Sequence, residues 1–360
     1  MPRSDPRTIL VIVTRQIGDV LVTTPLLRSL REGFAGAQID VLVYRGTDGV
    51  LAGNPDIRRV IAVPERPSFS EYRAWLGENA RRYDLALSVL AGDRPFAYAF
   101  LAARRRLGII SPAGHTGHWK RRFYADSVTG DERAPVLIQY LRLADRLGIK
   151  RSYEVVPPAP SPEEAEAVRQ VVSGDDRPFA VLHLAPLRRY KRWTVAGWRA
   201  LIAHLRARRV RVLVSGGPSA ADRDYARAIL GPESDATDLS GTLSFAQLAA
   251  LLRRAIVYIG PDTSVTHLAA ATGVPTIALF GPTDPTRWGP WPAGFAQDRS
   301  PYERVGALQQ VGNVVLLQGV APCVPCQKEG CEDHRESHSG CLDELPAARV
   351  IAALDRFLPS

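Results

Sequence analysis

The carboxylate Asp19 is the first residue of the chain whose position suggests chemistry. It ends the turn Thr14–Asp19, between an apolar stretch that predicts a strand (Thr8–Val13) and a stretch that predicts one helix (Asp19–Arg31). Gly18 is the only glycine of the turn, so neither a dinucleotide-binding loop nor a Walker phosphate loop is present. A carboxylate here can cap the helix and complement its dipole. It can also act as a general base toward a hydroxyl group.

A second candidate site follows the predicted strand Ile256–Gly260. The residues Asp262–Ser264 all favour the N-cap position of a helix, and a helix rich in small residues follows them. The free N–H groups and the positive dipole end of such a helix suit a diphosphate. His267 lies one turn into this helix, where a packing role is the alternative to ligand binding.

A third candidate is the loop Arg188–Trp193, which places four cations just after the predicted strand Phe179–Leu184. Guanidinium and ammonium groups at this position could neutralise a leaving diphosphate. This loop and the turn at Asp262 both follow strands of the second predicted parallel sheet, so they lie at the same edge of that sheet. Ligands of open parallel sheets bind at this edge, the carboxyl ends of the strands. The alternative is a solvated basic loop.

The stretch 94–122 contains no aspartate or glutamate but is rich in cations. It could hold an anionic acceptor, although a run of charge is more commonly a solvated face. Nucleic acid is a rival partner, but no recognised nucleic-acid-binding motif accompanies the charge. The basic residues and histidines of this stretch are Arg94, Arg104, Arg105, Arg106, His115, His118, Lys120, Arg121 and Arg122.

Two patterns raise the question of a metal site. Asp222 and Asp224 have D-x-D spacing, but they fall on a predicted helix, where residues two apart point to different faces. We therefore expect no metal site there. Four cysteines with C-x2-C-x4-C-x9-C spacing fit a structural zinc site, a local disulfide or unligated thiols, without a catalytic role. The cysteines are Cys323, Cys326, Cys331 and Cys341.

Composition places the chain among globular proteins. Of its 360 residues, 46% are hydrophobic and 23% are charged, which excludes the disordered class. Its 29 glycines and 28 prolines follow no period, which excludes collagen-like proteins. The formal net charge of +9 favours anionic partners. The longest apolar run near the start, Ile9–Val13, is far shorter than the roughly 20 residues of a membrane span, and no signal-peptide pattern is present. We therefore expect a cytoplasmic protein.

Strand-like and helix-like stretches alternate in two blocks, separated by a proline-rich segment near 151–162. This alternation predicts an α/β protein with two doubly wound parallel-sheet domains. We place the first domain at 1–155 and the second at 156–344, which includes the cysteine cluster 323–341. We expect the last helix, within 345–360, to pack back on the first domain.

Three motifs together resemble glycosyltransferase family 9, which comprises the heptosyltransferases of lipopolysaccharide core assembly. They are Ile17–Leu27, Pro261–Ala270 and Phe280–Pro285, and the resemblance in order and spacing extends from about residue 8 to 358. The resemblance implies a GT-B fold, in which two Rossmann-like domains face a central cleft. It also implies inverting, metal-independent transfer of a heptose from ADP-heptose to the inner core of lipopolysaccharide.

The resemblance also implies roles for single residues. Asp19 matches the catalytic base, and the first domain would bind the acceptor, for which Gly18, Arg94, Lys120 and Arg121 are our candidates. The second domain would bind the donor, with Lys191 at its diphosphate and the backbone of Thr242 at its adenine. The donor-binding turn matches Asp262, Thr263, Ser264, Val265 and His267. One departure is the segment Ala185-Pro186-Leu187, which lacks the hydroxyl or glycine residues that many members carry there.

The expected partners are an ADP-heptose donor and an anionic lipopolysaccharide-core or lipid A-linked acceptor. We expect no catalytic cofactor, no nucleic acid, a monomer, and peripheral contact with the cytoplasmic face of the inner membrane. Two other functions remain open from the residues alone. One is a nucleotide-sugar epimerase or another GT-B enzyme, and the other is a basic zinc-containing module that binds nucleic acid.

Overall fold

The computed structural model describes residues 5–112, 120–231 and 234–358. The chain divides into two units. The first comprises Met1–Val156 with Ala296–Arg299, and the second comprises Pro157–Phe295 with Ser300–Ser360. The division at Val156 falls within the proline-rich segment that the sequence indicated as a linker. The sequence did not predict that Ala296–Arg299 belong to the first unit.

The first unit contains a six-stranded sheet whose strands are all parallel, in the order β3-β2-β1-β4-β5-β6. This is the Rossmann order, and its direction reverses between β1 and β4, where ligands of such sheets bind. The strands are β1 (Thr8–Val13), β2 (Gln38–Tyr44), β3 (Arg59–Val63), β4 (Tyr83–Ser88), β5 (Ala103–Ile110) and β6 (Asp126–Thr129).

The predicted single helix over Asp19–Arg31 is wrong, because the structure divides this stretch into two helices. Pro25 lies in the first turn of the second helix, where the missing N–H costs nothing, and it cannot continue the helix that precedes it. The helices of this unit include α1 (Ile17–Leu21), α2 (Thr24–Gly33), α3 (Phe69–Asn79), α4 (Asp93–Ala102) and α5 (Val136–Leu147), with a 3-10 turn at Asp48–Leu51.

The second unit repeats this arrangement with an added hairpin. Its sheet has the order β12-β13-β11-β10-β7-β8-β9, and all neighbours are parallel except β12 and β13. The direction reverses between β7 and β10. The strands are β7 (Phe179–His183), β8 (Arg211–Ser215), β9 (Thr237–Asp238), β10 (Val257–Pro261), β11 (Thr276–Phe280), β12 (Leu308–Val311) and β13 (Val314–Gln318).

The C-terminal helix differs in location from our expectation. It packs on the helix Val195–Ala207 within the second unit, where Val350 and Leu354 join the core around Leu201. The apolar face of this helix is buried in the hydrophobic core on one side of the second sheet. The helices of this unit include α6 (Pro162–Val172), α7 (Val195–Ala207), α8 (Ala220–Leu230), α9 (Phe245–Leu252), α10 (Ser264–Thr272), α11 (Pro285–Trp288), α12 (Gly340–Asp343) and α13 (Ala347–Leu354), with a 3-10 turn at Arg189–Lys191.

Both sheets have buried central strands, as parallel sheets covered on two faces require. Residues Ile9–Val13 of β1 and Phe179–His183 of β7 are buried throughout. The predicted α/β class with two doubly wound parallel sheets is therefore confirmed. In the part of the chain that the structure describes, no helix combines the length and the apolar character needed to cross a bilayer.

Candidate functional site

Asp19 lies at the carboxyl end of β1, in the first turn of α1. Its side chain is buried, with 6% of its surface exposed. The N-cap of this helix is Gln16, so Asp19 does not cap the helix itself. Arg15 places its Nε 3.6 Å from the Asp19 Oδ2 atom, and the Thr23 hydroxyl donates to the Asp19 backbone carbonyl at 2.7 Å.

A residue that the sequence analysis missed contacts the same carboxylate. Tyr140, on α5, is buried and donates its hydroxyl to the Asp19 Oδ1 atom at 3.0 Å. In the sequence, Tyr140 is one more residue of an apolar helical stripe, and 121 positions separate it from Asp19. The local pattern therefore contains no signal of this contact.

Two of the predicted acceptor-binding cations lie at the turn between β4 and α4. Arg94 is exposed, and its Nη1 donates to the Tyr44 hydroxyl at 2.7 Å and to the Glu65 carbonyl. Lys120 is only 4% exposed, and its ammonium lies 2.5 Å from the Asp93 carboxylate. Gly18 is half-buried beside the Asp19 backbone. Acceptor binding by these residues stays a prediction.

The basic stretch does not form one continuous surface. Arg121 donates to the Thr129 hydroxyl at the carboxyl end of β6. Arg104–Arg106, in contrast, lie at the amino end of β5, because that strand begins at Ala103. Arg106 is held there by the carbonyl of Phe123 at 2.7 Å. His115 and His118 lie outside the described residues.

In the second unit, Lys191 and Asp262 form an ion pair. The Nζ atom lies 2.6 Å from the Asp262 Oδ2 atom, with 23% of the Lys191 side chain exposed and Asp262 buried. Lys191 follows β7 and Asp262 follows β10, so the pair lies at the point where the strand order reverses. The two predicted donor-binding segments are thus brought together.

The electrostatics of this pair follow from burial and charge. Burial alone would raise the pKa of Asp262, but the Lys191 ammonium and a hydrogen bond from Thr283 hold that pKa below its usual value. Burial lowers the pKa of His267, against the opposing effect of Asp262. The Nδ1 atom of His267 is buried and has no hydrogen-bond partner among the described residues. His267 is therefore a neutral imidazole near neutral pH.

The turn after Asp262 forms the predicted helix start. Thr263 is the N-cap of α10, and its hydroxyl accepts from the Thr266 N–H at 3.4 Å. Ser264 is half-buried and Val265 is buried at the first positions of the helix. The backbone N–H groups of such a first turn, with the dipole behind them, can hold phosphate oxygens.

Thr242 lies farther along the same sheet edge, after β9. Its hydroxyl donates to the Leu239 carbonyl at 2.9 Å, and the residue is exposed. The strands β7 and β8 separate β9 from β10, which puts about 14 Å between the two strands at ~4.8 Å per spacing. Contact between the Thr242 backbone and adenine stays a prediction.

A buried polar group at the ends of β7 and β8 was also missed. The His183 Nδ1 and Ser215 Oγ atoms are 3.1 Å apart, and the buried Ser240 hydroxyl has no hydrogen-bond partner among the described residues. A Cβ atom at Gly216 would lie 2.5 Å from the Ser240 Oγ atom, so a side chain there would displace this hydroxyl. Burial lowers the pKa of His183 to about 4. The available signal was a polar residue at or next to the end of each of two strand-like stretches, Phe179–Leu184 and Val210–Ser215.

His183 predicts a pH-dependent stability. The unfolded chain protonates this histidine near pH 6.5, whereas the folded chain does so only near pH 4. Above pH 6.5 the histidine is neutral in both states and does not affect stability. As the pH falls toward 4, the unfolded chain binds the proton but the folded chain does not, so the free energy of unfolding decreases. The loss should be about 2 kcal/mol at pH 5. The measurement is the free energy of unfolding from denaturant titrations at pH 7 and pH 5. The difference between the two pH values should be about 2 kcal/mol smaller in His183→Gln than in the wild type. The control is His334→Gln, which changes an exposed histidine and should keep the pH dependence of the wild type. If the stability of His183→Gln depends on pH as strongly as that of the wild type, the prediction is wrong.

The four cysteines lie in the segment after β13 and are all free thiols, so no disulfide joins them. Burial raises the pKa of Cys341 to about 12, and the other three cysteines add to this effect. Among the described residues, however, no group of three or more histidine, cysteine or acidic side chains is arranged to hold a metal ion. Asp222 and Asp224 lie on α8, as predicted. Zinc binding by the cysteines stays a prediction.

Comparison with known proteins adds to this geometry. A family model described as glycosyltransferase family 9 (heptosyltransferase) matches residues 107–305. The chain is 26% identical over 357 residues to lipopolysaccharide heptosyltransferase 3 of Escherichia coli, covering 95% of this chain and 97% of that protein.

Solved structures show the same fold. The ADP-heptose lipopolysaccharide heptosyltransferase II of E. coli has a TM-score of 0.74 at 20% identity, covering 98% of each chain. The E. coli heptosyltransferase WaaC, solved with ADP, has a TM-score of 0.71 at 20% identity, covering 97% of this chain and 99% of that one. The predicted GT-B fold is thereby confirmed.

Proposed function

Because this chain belongs to glycosyltransferase family 9, we propose that it transfers a heptose from ADP-heptose to the inner core of lipopolysaccharide. That it is a glycosyltransferase follows from the family. The relatives named above are heptosyltransferases of lipopolysaccharide, and one of them was solved with ADP. These relatives support the choice of donor and acceptor.

The observation that carries the proposal is the Lys191–Asp262 pair at the start of α10. A leaving nucleotide diphosphate develops negative charge, which an ammonium group and helix N–H groups can stabilise. The ion pair with Asp262 holds the Lys191 ammonium in place, and 23% of the lysine side chain is exposed. We assign Lys191 and the turn Thr263–Val265 to the diphosphate, with His267 beside them.

In the proposed reaction, the oxygen of an acceptor hydroxyl attacks the anomeric carbon of the heptose. The hydroxyl proton moves to the Asp19 carboxylate, and the bond between the anomeric carbon and the phosphate oxygen breaks. ADP leaves with the electron pair, and the configuration at the anomeric carbon inverts. Asp19 suits the role of base because its buried carboxylate lies at the carboxyl end of β1, next to the reversal of strand order.

We also propose that transfer needs no metal ion, because Lys191 and the N-terminus of α10 supply the countercharge. The exposed Arg94 and Arg121 would meet phosphate or carboxylate groups of the acceptor. An acceptor linked to lipid A would bring the enzyme to the membrane surface. We assign the four cysteines no part in these steps.

A ligand panel tests the donor class. We expect ADP to raise the midpoint of thermal unfolding, and UDP and GDP at equal concentration to raise it less, since a ligand that binds the folded state stabilises it. The matched assay follows ADP release from ADP-heptose with a heptose-deficient lipopolysaccharide acceptor, with and without EDTA. We expect release only with the acceptor present, at the same rate in both arms.

Each result has a contrary outcome. Stronger stabilisation by UDP or GDP would overturn the ADP assignment, and loss of activity in EDTA would overturn metal independence. Conversion of the sugar nucleotide without an acceptor would favour the epimerase alternative. Membership of a glycosyltransferase family favours an enzyme over the alternative of a nucleic-acid-binding module.

A further inference from the structure

The contact between Tyr140 and Asp19 joins two elements that are distant in the sequence. Tyr140 lies on α5, which packs against α2 in the first unit. Its side chain is 1% exposed, and its hydroxyl donates to the Asp19 Oδ1 atom at 3.0 Å. A buried phenol of this kind normally finds a polar partner. Here that partner is the carboxylate to which we assign proton transfer.

The helix that carries Asp19 offers little restraint of its own. It has five residues, Ile17–Leu21, and its N-cap Gln16 makes no side-chain capping bond. Thr23 holds the Asp19 backbone carbonyl, but this bond does not fix the carboxylate. Arg15 is near the Oδ2 atom at 3.6 Å, yet its side chain is 47% exposed. Tyr140, in contrast, is buried and contacts the carboxylate itself through a direct hydrogen bond.

We propose that Tyr140 is a positioning residue for Asp19, an inference that rests on the proposed function. Its hydrogen bond fixes the rotation of the carboxylate and favours the ionised form, which is the form that accepts a proton. A base must lie within hydrogen-bond reach of the proton that it removes. A carboxylate that rotates away from the acceptor hydroxyl therefore accepts its proton less often, and transfer is slower. Tyr140 itself does not touch the substrate in this scheme.

The test is Tyr140→Phe, which removes the hydroxyl and keeps the ring. We expect kcat for heptose transfer to fall about 10- to 100-fold, with the affinity for ADP unchanged. Without the hydrogen bond from the Tyr140 hydroxyl, the Asp19 carboxylate holds its proton more tightly. The acid limb of the pH profile of kcat/KM should therefore move to higher pH. A residue that only fills space would not move that limb.

The chain offers a matched control in Tyr83→Phe. Tyr83 is also a buried tyrosine of the first unit, and its hydroxyl donates to the buried Asp40 carboxylate at 2.7 Å. Asp40 lies near the amino end of β2, where Arg58 and Arg59 also bind it. Tyr83→Phe should therefore lower stability without moving the acid limb or reducing kcat beyond about twofold.

A second substitution keeps the test decisive if Tyr140→Phe does not fold. Replacement of Tyr140 by 3-fluorotyrosine preserves the ring and the hydroxyl but makes the phenol a stronger donor. The acid limb should then move to lower pH, opposite to the shift in Tyr140→Phe.

The outcomes separate this inference from the proposed function. Full transfer by Asp19→Asn would overturn the base assignment, and the inference with it. Loss of transfer in Asp19→Asn, together with wild-type kcat and pH profile in the Tyr140 variants, would overturn the inference alone. Equal losses of kcat in Tyr140→Phe and Tyr83→Phe, without a shifted limb, would also overturn it.

Discussion

Replacing Asp19 by asparagine is expected to reduce kcat for transfer by about 10²- to 10⁴-fold, the usual contribution of a general base. The amide keeps the shape of the side chain, and its oxygen can still accept the hydrogen bond from Tyr140. It cannot accept the proton of the acceptor hydroxyl. The measurements are the initial rate of ADP release at saturating donor and acceptor, and the Kd for ADP, which should not change. Asp19→Ala should lose transfer as well and also leave the buried Tyr140 hydroxyl without this partner.

A matched control is Asp56→Asn. Asp56 is another buried carboxylate of the first unit, paired with the Arg28 guanidinium at 2.7 Å. This variant loses an ion pair but no group assigned to the reaction, so its effect should be on stability. Transfer by Asp19→Asn within threefold of the wild type would show that the chain uses another base.

Lys191→Met is expected to weaken ADP binding by about 10- to 100-fold, the equivalent of one charge-assisted hydrogen bond. The same change leaves the buried Asp262 carboxylate without its ammonium partner, which should cost about 3 kcal/mol of unfolding free energy. Calorimetric titration with ADP and denaturant unfolding measure the two effects separately.

Two further variants show which effect is which. The double variant Lys191→Met with Asp262→Asn removes the unpaired charge, so stability should partly return while ADP binding stays weak. Arg189→Met removes an exposed cation from the same loop and should change ADP binding far less. If Lys191→Met binds ADP like the wild type, or if Arg189→Met loses as much affinity, the assignment of Lys191 to the diphosphate is wrong.

Local sequence patterns predicted much of the fold. The strand Thr8–Val13 has the bounds that its pattern indicated, and a helix rich in small residues follows Thr263, as predicted. The strand Ala103–Ile110 was missed because three successive arginines begin it, at the amino end of the sheet. The hairpin of Leu308–Val311 and Val314–Gln318 was also missed. The first strand has only four residues, Leu-Gln-Gln-Val, without apolar alternation, whereas the apolar run Val314–Leu317 carried a strand signal that the analysis did not use.

The candidate sites divide in the same way. The turn at Asp262–His267 was predictable because strand, cap and helix follow one another within a few residues. The pairing of Lys191 with Asp262 depends on which strands are neighbours, and β7 lies beside β10 although 71 residues separate the two side chains. The contact of Tyr140 with Asp19 depends on helix packing in the same way. Spacing along the chain does not record such pairings.

The Lys191–Asp262 pair has a consequence for small anions. The Asp262 carboxylate occupies one hydrogen-bonding position of the Lys191 ammonium, so an inorganic phosphate ion shares that ammonium with a resident anion and makes few contacts of its own. A sugar nucleotide brings additional contacts through its base, ribose and sugar, so it can offset that competition. We therefore expect inorganic phosphate to bind at Lys191 more weakly than a sugar nucleotide does.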